Sequence, residues 1–73
     1  MYRISLKDVG VDRVTKDVIA HVSTLEYAEV HARNQLKLEL GYSNFEMGGS
    51  GIGSYVVTHY GILVGSLTIT ELH

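Results

Sequence analysis

The stretch 21–28 constrains the fold most, because a strand pattern gives way there to a helix pattern within two residues. Ser23 and Glu26 have the spacing of a capping box, in which the hydroxyl accepts the amide three residues on and the carboxylate reaches back. Val22 and Tyr27 fit the hydrophobic staple around such a cap. The junction predicts one small α+β domain.

The patterns on either side extend this prediction to a single domain spanning 1–73. In chain order they predict strands near 2–7 and 13–22, a helix over 24–40, and strands over 55–60 and 62–71, with 42–47 either a short strand or an irregular exit. Gly41 is placed to stop the helix. We therefore expect an α+β fold in which one helix packs on one face of an antiparallel sheet of four to five strands, ββαββ or ββαβββ.

The apolar periodicity predicts which side chains meet in the core and which sheet face stays open. The helix should face the sheet with Leu25, Ala28, Ala32, Leu36 and Leu40. In the last strand, Leu63, Leu67 and Ile69 share one parity, and Gly65 is placed for a bulge. The uncovered face would carry Arg3, Ser5, Lys7, Thr15, Asp17, Ile19 and His21. Ile19 on this polar face hints at a partner.

The length of the chain indicates a need for external support. Domains of 73 residues bury little core, and they commonly rely on disulfides, a metal or a partner subunit. The absence of cysteine excludes disulfides and thiolate zinc sites. The histidines, His21, His31, His59 and His73, are scattered, and His21 and His59 could meet across neighbouring strands in a register that the sequence does not give. We therefore expect no metal or other cofactor, and a homo-oligomer, most simply a dimer.

Charge and hydropathy narrow the class of partner. Six Lys or Arg against eight Asp or Glu give no strong field for nucleic acid, so direct nucleic-acid binding is not expected. No apolar run approaches the length of a membrane span. Met1–Leu6 leads straight into an alternating strand, without the pattern of a signal peptide. These features favour a cytoplasmic protein without membrane contact.

One glycine-rich segment, 48–54, is the candidate binding site. It lacks the lysine of a phosphate-binding P-loop and leads into a strand rather than a helix. It is either a mobile hairpin tip or inter-strand loop, or a loop that orders on a ligand or protein partner. The candidate ligand- or partner-binding residues are Gly48, Gly49, Ser50, Gly51, Gly53 and Ser54, with Tyr42 and Tyr55 nearby in sequence.

No catalytic constellation is visible in the sequence. Ser54, His59 and Glu71 supply the residue types of a triad, but nothing in the sequence positions them. Glu26 is better explained by capping than by acid–base chemistry. We therefore expect a protein that is not an enzyme.

The segment 18–28, Val-Ile-Ala-His-Val-Ser-Thr-Leu-Glu-Tyr-Ala, resembles a pattern common in small phage and mobile-element proteins. The layout of hairpin, helix and hairpin is similar to that of several small anti-CRISPR proteins. This resemblance implies a non-enzymatic inhibitor or modulator that binds a host macromolecular defence complex and occludes it. It assigns no role to any residue.

Two alternatives from other functional classes remain open. In the first, a homodimer sequesters a nucleotide or similar small anion, with backbone amides of 48–53 holding phosphate and a tyrosine stacking on the base. In the second, the chain is a self-assembling structural subunit whose main partner is itself.

Overall fold

The computed structural model describes all 73 residues and contains one helix and one five-stranded antiparallel sheet. The elements are β1 (Tyr2–Val9), β2 (Val14–Ala20), α1 (Leu25–Leu40), β3 (Glu46–Gly51), β4 (Ser54–His59) and β5 (Ile62–Glu71). The strand order in the sheet is β2-β1-β5-β4-β3, so the first and last strands pair at the centre. This arrangement confirms the predicted α+β class and the ββαβββ order.

Helix α1 begins at Leu25, one residue later than a cap at Ser23 would place its start. Thr24 is the N-cap, and its hydroxyl accepts the amide of Tyr27 at 3.2 Å. The predicted capping box of Ser23 and Glu26 is therefore wrong, because a cap at 24 places Tyr27, which has no carboxylate, at the reciprocal position. The staple is wrong as well, since Tyr27 is 64% exposed. Gly41 does end the helix, with its amide donating to the carbonyl of Lys37 at 2.9 Å.

Helix α1 lies chiefly over β1 and β2. Ala28, Ala32 and Leu36 are fully buried, as predicted, and the two small alanines let the helix approach the sheet closely. The ends of the predicted stripe are less buried: Leu40 is half-buried and Leu25 is 43% exposed. The helix therefore covers one half of its sheet face and leaves the β3–β4 half less covered.

Two irregularities at the same end of the central strands shift the side-chain parity there. In β1 the register shifts between Leu6 and Val9, and Asp8 takes a left-handed conformation with φ of 52°. Because of this bulge, Leu6 and Val9 both point into the core although they are three residues apart.

The matching irregularity in β5 lies beside Gly65, where a bulge is predicted. Val57 pairs with Gly65 but Thr58 pairs with Leu63, so Val64 is the extra residue. This corrects the prediction for Leu63, which is 65% exposed because the bulge turns it away from the core; Leu67 and Ile69 are buried as predicted. At Gly65 the strands are so close that a Cβ would lie 2.9 Å from Val9 Cγ2 and 3.0 Å from Val9 Cα.

The sheet face opposite α1 is open, as the alternation predicts. None of its seven predicted residues is buried: Arg3, Ser5, Lys7, Thr15, Asp17, Ile19 and His21. Across the centre of this face, Thr68 and Thr70 of β5 lie opposite Ser5 and Arg3 of β1. The face is therefore rich in hydroxyl groups, and Ile19 at 39% exposure is one of its few large apolar side chains.

The position of the helix cap can be tested with a pair of hydroxyl deletions. Thr24→Ala removes the acceptor for the Tyr27 amide and should lower the free energy of unfolding by about 1 kcal/mol. Ser23→Ala should change it by less than about 0.5 kcal/mol, because this exposed hydroxyl has no partner in the structure. Urea unfolding measures both free energies. A larger loss of stability for Ser23→Ala than for Thr24→Ala would contradict the cap at Thr24 and favour the capping box of Ser23 and Glu26.

The close approach of β1 and β5 gives a second stability prediction. Gly65→Ala forces a methyl group against Val9 and should destabilise the fold by about 1–3 kcal/mol. The matched control is Gly49→Ala, because an added Cβ at Gly49 meets nothing within 4 Å. This substitution should change the free energy of unfolding by less than about 0.5 kcal/mol. Equal effects of the two substitutions in urea unfolding would contradict this account of the core.

Candidate functional site

Most of the glycine-rich segment is a β-strand rather than a loop. In β3, Gly48 pairs with Val56 and Gly49 pairs with Tyr55 of the neighbouring strand. Only Ile52 and Gly53 form the connecting turn, so the expected hairpin tip is two residues long. Glycine has a weak strand preference, and the pairing with β4 overrides it. The prediction of an inter-strand loop over 48–54 is therefore wrong.

Gly53 has a structural task that separates it from the other glycines of the segment. Its φ is 72°, and its carbonyl accepts the amide of Ile69 at 2.7 Å. A Cβ at this position would lie 2.6 Å from the carbonyl oxygen of Ile69. The turn is thereby tied to β5, and substitutions at Gly53 report on folding rather than on binding.

The strand conformation also bears on the anion-binding alternative. A phosphate-cradling loop needs successive amides that point towards one centre, whereas the amides of a strand alternate between its two sides. Gly48 and Gly49 both follow the ladder with β4. Gly48 and Gly49 therefore do not supply the amide cradle that this alternative requires.

The structure divides the predicted site residues between two places. Gly48, Gly49, Ser50, Gly51, Gly53, Ser54 and Tyr55 lie together in the β3–β4 hairpin. Tyr42 lies instead beside His59, at the other end of β4, with ring centroids 4.2 Å apart. Tyr42 and Tyr55 therefore do not form one aromatic surface around the glycines.

A polar and aromatic cluster at that other end was not predicted. The Asn44 side chain donates to the Tyr60 hydroxyl at 2.8 Å, and His59 Nδ1 lies 2.9 Å from the carbonyl oxygen of Asn44. The His59 and Tyr60 rings are 4.4 Å apart. Since these contacts depend on the irregular path between α1 and β3, no periodic signal could have indicated them. They fasten that path to the end of β4.

His21 and His59, which could have met across neighbouring strands, are far apart in the sheet. His21 follows the edge strand β2, whereas His59 ends β4, and β1 and β5 lie between these strands. No group of three or more His, Cys, Asp or Glu residues lies in an arrangement that could hold a metal ion.

The two edges of the sheet differ in how they are protected. The β2 edge carries charged side chains, and Lys16 forms a salt bridge across to Glu39 of α1. The outer edge of β3 has no strand partner, and its residues 48–51 are all exposed and uncharged. Natural sheets commonly block edges with charges, proline or a covering element. β3 has only the charge of Glu46 at its start and a register shift between Gly49 and Gly51, so the stretch Met47–Gly49 is unprotected and is the candidate interface.

A groove runs beside this edge, between α1 and the β3–β4 hairpin. It is open to solvent, has a volume of about 250 Å³ and is lined by Glu26, Glu29, Val30, Arg33, Met47 and Tyr55. Burial raises the pKa of Tyr55 above its ordinary value of 10.0, and the charge and hydrogen bonding of Glu29 raise this pKa further. The Arg33 guanidinium lies 5.6 Å from the centre of the Phe45 ring, and neither Glu26 nor Glu29 forms a salt bridge.

Comparison of the chain with protein-family models, with curated proteins and with solved structures gives no match. No helix of the chain combines the length and the apolar character needed to cross a membrane. Its function is therefore inferred from the β3 edge and the groove beside it.

The environment of Tyr55 predicts a pH effect on stability. As the pH rises past about 10, tyrosine ionises first in the unfolded chain, since the pKa of Tyr55 is raised in the folded one. The stability that the raised pKa of Tyr55 contributes is fully present below the pKa of tyrosine in the unfolded chain. It is lost as the pH rises through the pKa of Tyr55 in the folded protein. Tyr55→Phe should therefore show a shallower loss of stability above pH 10, and Glu29→Gln a smaller change in the same direction. Parallel curves of the free energy of unfolding against pH for the wild type and Tyr55→Phe would contradict the described environment of Tyr55.

Proposed function

We propose that this chain is a small, non-enzymatic binding protein that pairs its β3 edge with an extended strand of a protein partner. The observation that carries the proposal is the outer edge of β3, which has no strand partner and whose residues 48–51 are exposed, uncharged and rich in glycine. An edge strand presents unpaired N–H and C=O groups, which bind a further strand by main-chain hydrogen bonds.

The glycines favour this mode of binding for a steric reason. A Cβ at Gly49 would meet nothing within 4 Å, and one at Gly48 would only touch Val56 at 3.7 Å. The space beside both residues is thus free for side chains of an added strand. Gly53 holds the end of the hairpin against β5, so the edge is offered as part of a fixed sheet.

Because the layout of hairpin, helix and hairpin resembles that of small anti-CRISPR proteins, a host defence complex is the first partner to test. A chain of 73 residues with one rigid edge can occlude a surface of a larger assembly without chemistry. A second copy of the chain is the other occupant that this edge can take, and it would correspond to the self-assembling alternative. We commit to a different protein because two β3 strands facing each other would join glycines with little side-chain surface to bury.

The proposal can be tested with two lysine substitutions. Gly49→Lys places a charge on the β3 edge, where it should prevent strand addition without disturbing the fold. Val11→Lys is the matched control, since Val11 lies fully exposed in the turn between β1 and β2. Tagged wild type and both variants are used to capture proteins from host lysate, and urea unfolding verifies that each variant is folded.

We expect a defined partner that is recovered by the wild type and by Val11→Lys but is reduced at least about tenfold with Gly49→Lys, as for the loss of a central interface contact. Retention of the partner by a folded Gly49→Lys protein would contradict pairing at β3. Recovery of the chain alone, with a dimer that Gly49→Lys converts to a monomer, would identify a second copy as the occupant instead.

A further inference from the structure

We propose, building on the proposed function, that the groove beside β3 selects a partner strand whose lysine or arginine side chain reaches Glu26 and Glu29. The partner is thus an extended segment in which a basic residue alternates with apolar ones. Pairing at the strand edge alone leaves the side chains of the partner open, and the groove would select among them.

The position of an added strand follows from sheet geometry. It would lie about 4.8 Å outside β3, and alternate side chains would point to the helix side of the sheet. Those side chains would align with Met47 and Gly49, which occupy the helix side of β3 because their partner residues Val57 and Tyr55 face α1. Gly49 contributes no side chain, so a long side chain from the added strand can pass over it towards Tyr55 and the groove.

The charge of the groove favours a cation at the end of that side chain. Glu26 and Glu29 line the groove, and neither carboxylate has a salt-bridge partner in the chain. Arg33 lines it too, but its guanidinium stacks over the Phe45 ring. Two carboxylates against one arginine leave the groove acidic, which attracts a cation.

The apolar part of the groove suits the stem of the same side chain. Val30 and Tyr55 flank the carboxylates, with Met47 at the β3 side. Lysine and arginine bury their aliphatic stems on such surfaces while their charged ends stay near water or an acceptor. A short side chain, or a neutral one of equal length, would use only part of this surface.

The opposite side of the hairpin favours apolar residues at the alternate positions. Val56 is 37% exposed on the open sheet face, and its Cγ2 lies 3.7 Å from a Cβ built at Gly48. Residues of the added strand that point to this side would find Val56 across the bare Gly48 backbone. Apolar side chains there would remove both surfaces from water.

The test is a selection of displayed random heptapeptides on four full-length proteins. They are the wild type, Glu26→Gln/Glu29→Gln, the control Asp12→Asn/Glu71→Gln, and Gly49→Lys. The control removes two exposed carboxylates outside the groove, so its net charge matches that of the groove variant. Circular dichroism and urea unfolding verify each fold before selection, and selected peptides are remade for affinity measurement.

We expect wild type and control to select peptides with Lys or Arg at alternation with apolar residues. The groove variant should bind those peptides about tenfold more weakly, the equivalent of one charge-assisted hydrogen bond. It should also lose the basic preference.

The other outcomes separate the two proposals. Two outcomes would overturn the groove inference and leave pairing at β3 in place, provided that the selected peptides do not bind Gly49→Lys. In the first, the peptides show no preference for Lys or Arg; in the second, the groove variant selects the same basic peptides as the wild type. Selection of no peptide, or of peptides that bind Gly49→Lys equally well, would overturn both.

Discussion

The close contact between Val9 and Gly65 is the constraint on which the rest of the structure depends. It joins the two central strands, β1 and β5, at the point where each contains a bulge. Only the absence of a side chain at Gly65 lets the backbone of β5 approach Val9 so closely, and the amide of Gly10 donates to the Val64 carbonyl at 2.9 Å beside it. The paired bulges keep Val9 buried while Leu63 turns outwards.

The candidate interface follows from how little one helix can cover. Helix α1 packs over β1 and β2, where its small Ala28 and Ala32 side chains meet the sheet. Phe45, directly before β3, is buried in the same core, whereas the contacts of the helix with the β3–β4 hairpin are few. A sheet edge and an acidic groove are therefore left exposed next to each other. Their proximity is a consequence of the fold, and under the proposed function it would let one extended ligand use main-chain and side-chain recognition together.

Periodicity in the sequence was enough to predict the helix, the first hairpin, the open face and the antiparallel α+β class. It failed by one residue at the cap, because Ser23 and Thr24 are chemically equivalent acceptors and only the backbone path chooses between them. It failed at the glycine segment because the strand conformation of Gly48 and Gly49 is imposed by β4 rather than by their own preference. The groove joins residues of α1, β3 and β4, and no local pattern encodes such a meeting.

The most direct test of the account is amide hydrogen exchange of the isolated protein, resolved residue by residue along β3. An ordered edge strand bonds alternate amides to its single neighbour and leaves the others free, so protection should alternate from Glu46 to Gly49, the part of β3 that precedes its register shift. This alternation would establish that the glycine segment is a fixed edge with a free outer side. Uniformly fast exchange over these residues would show a mobile loop and contradict the central claim.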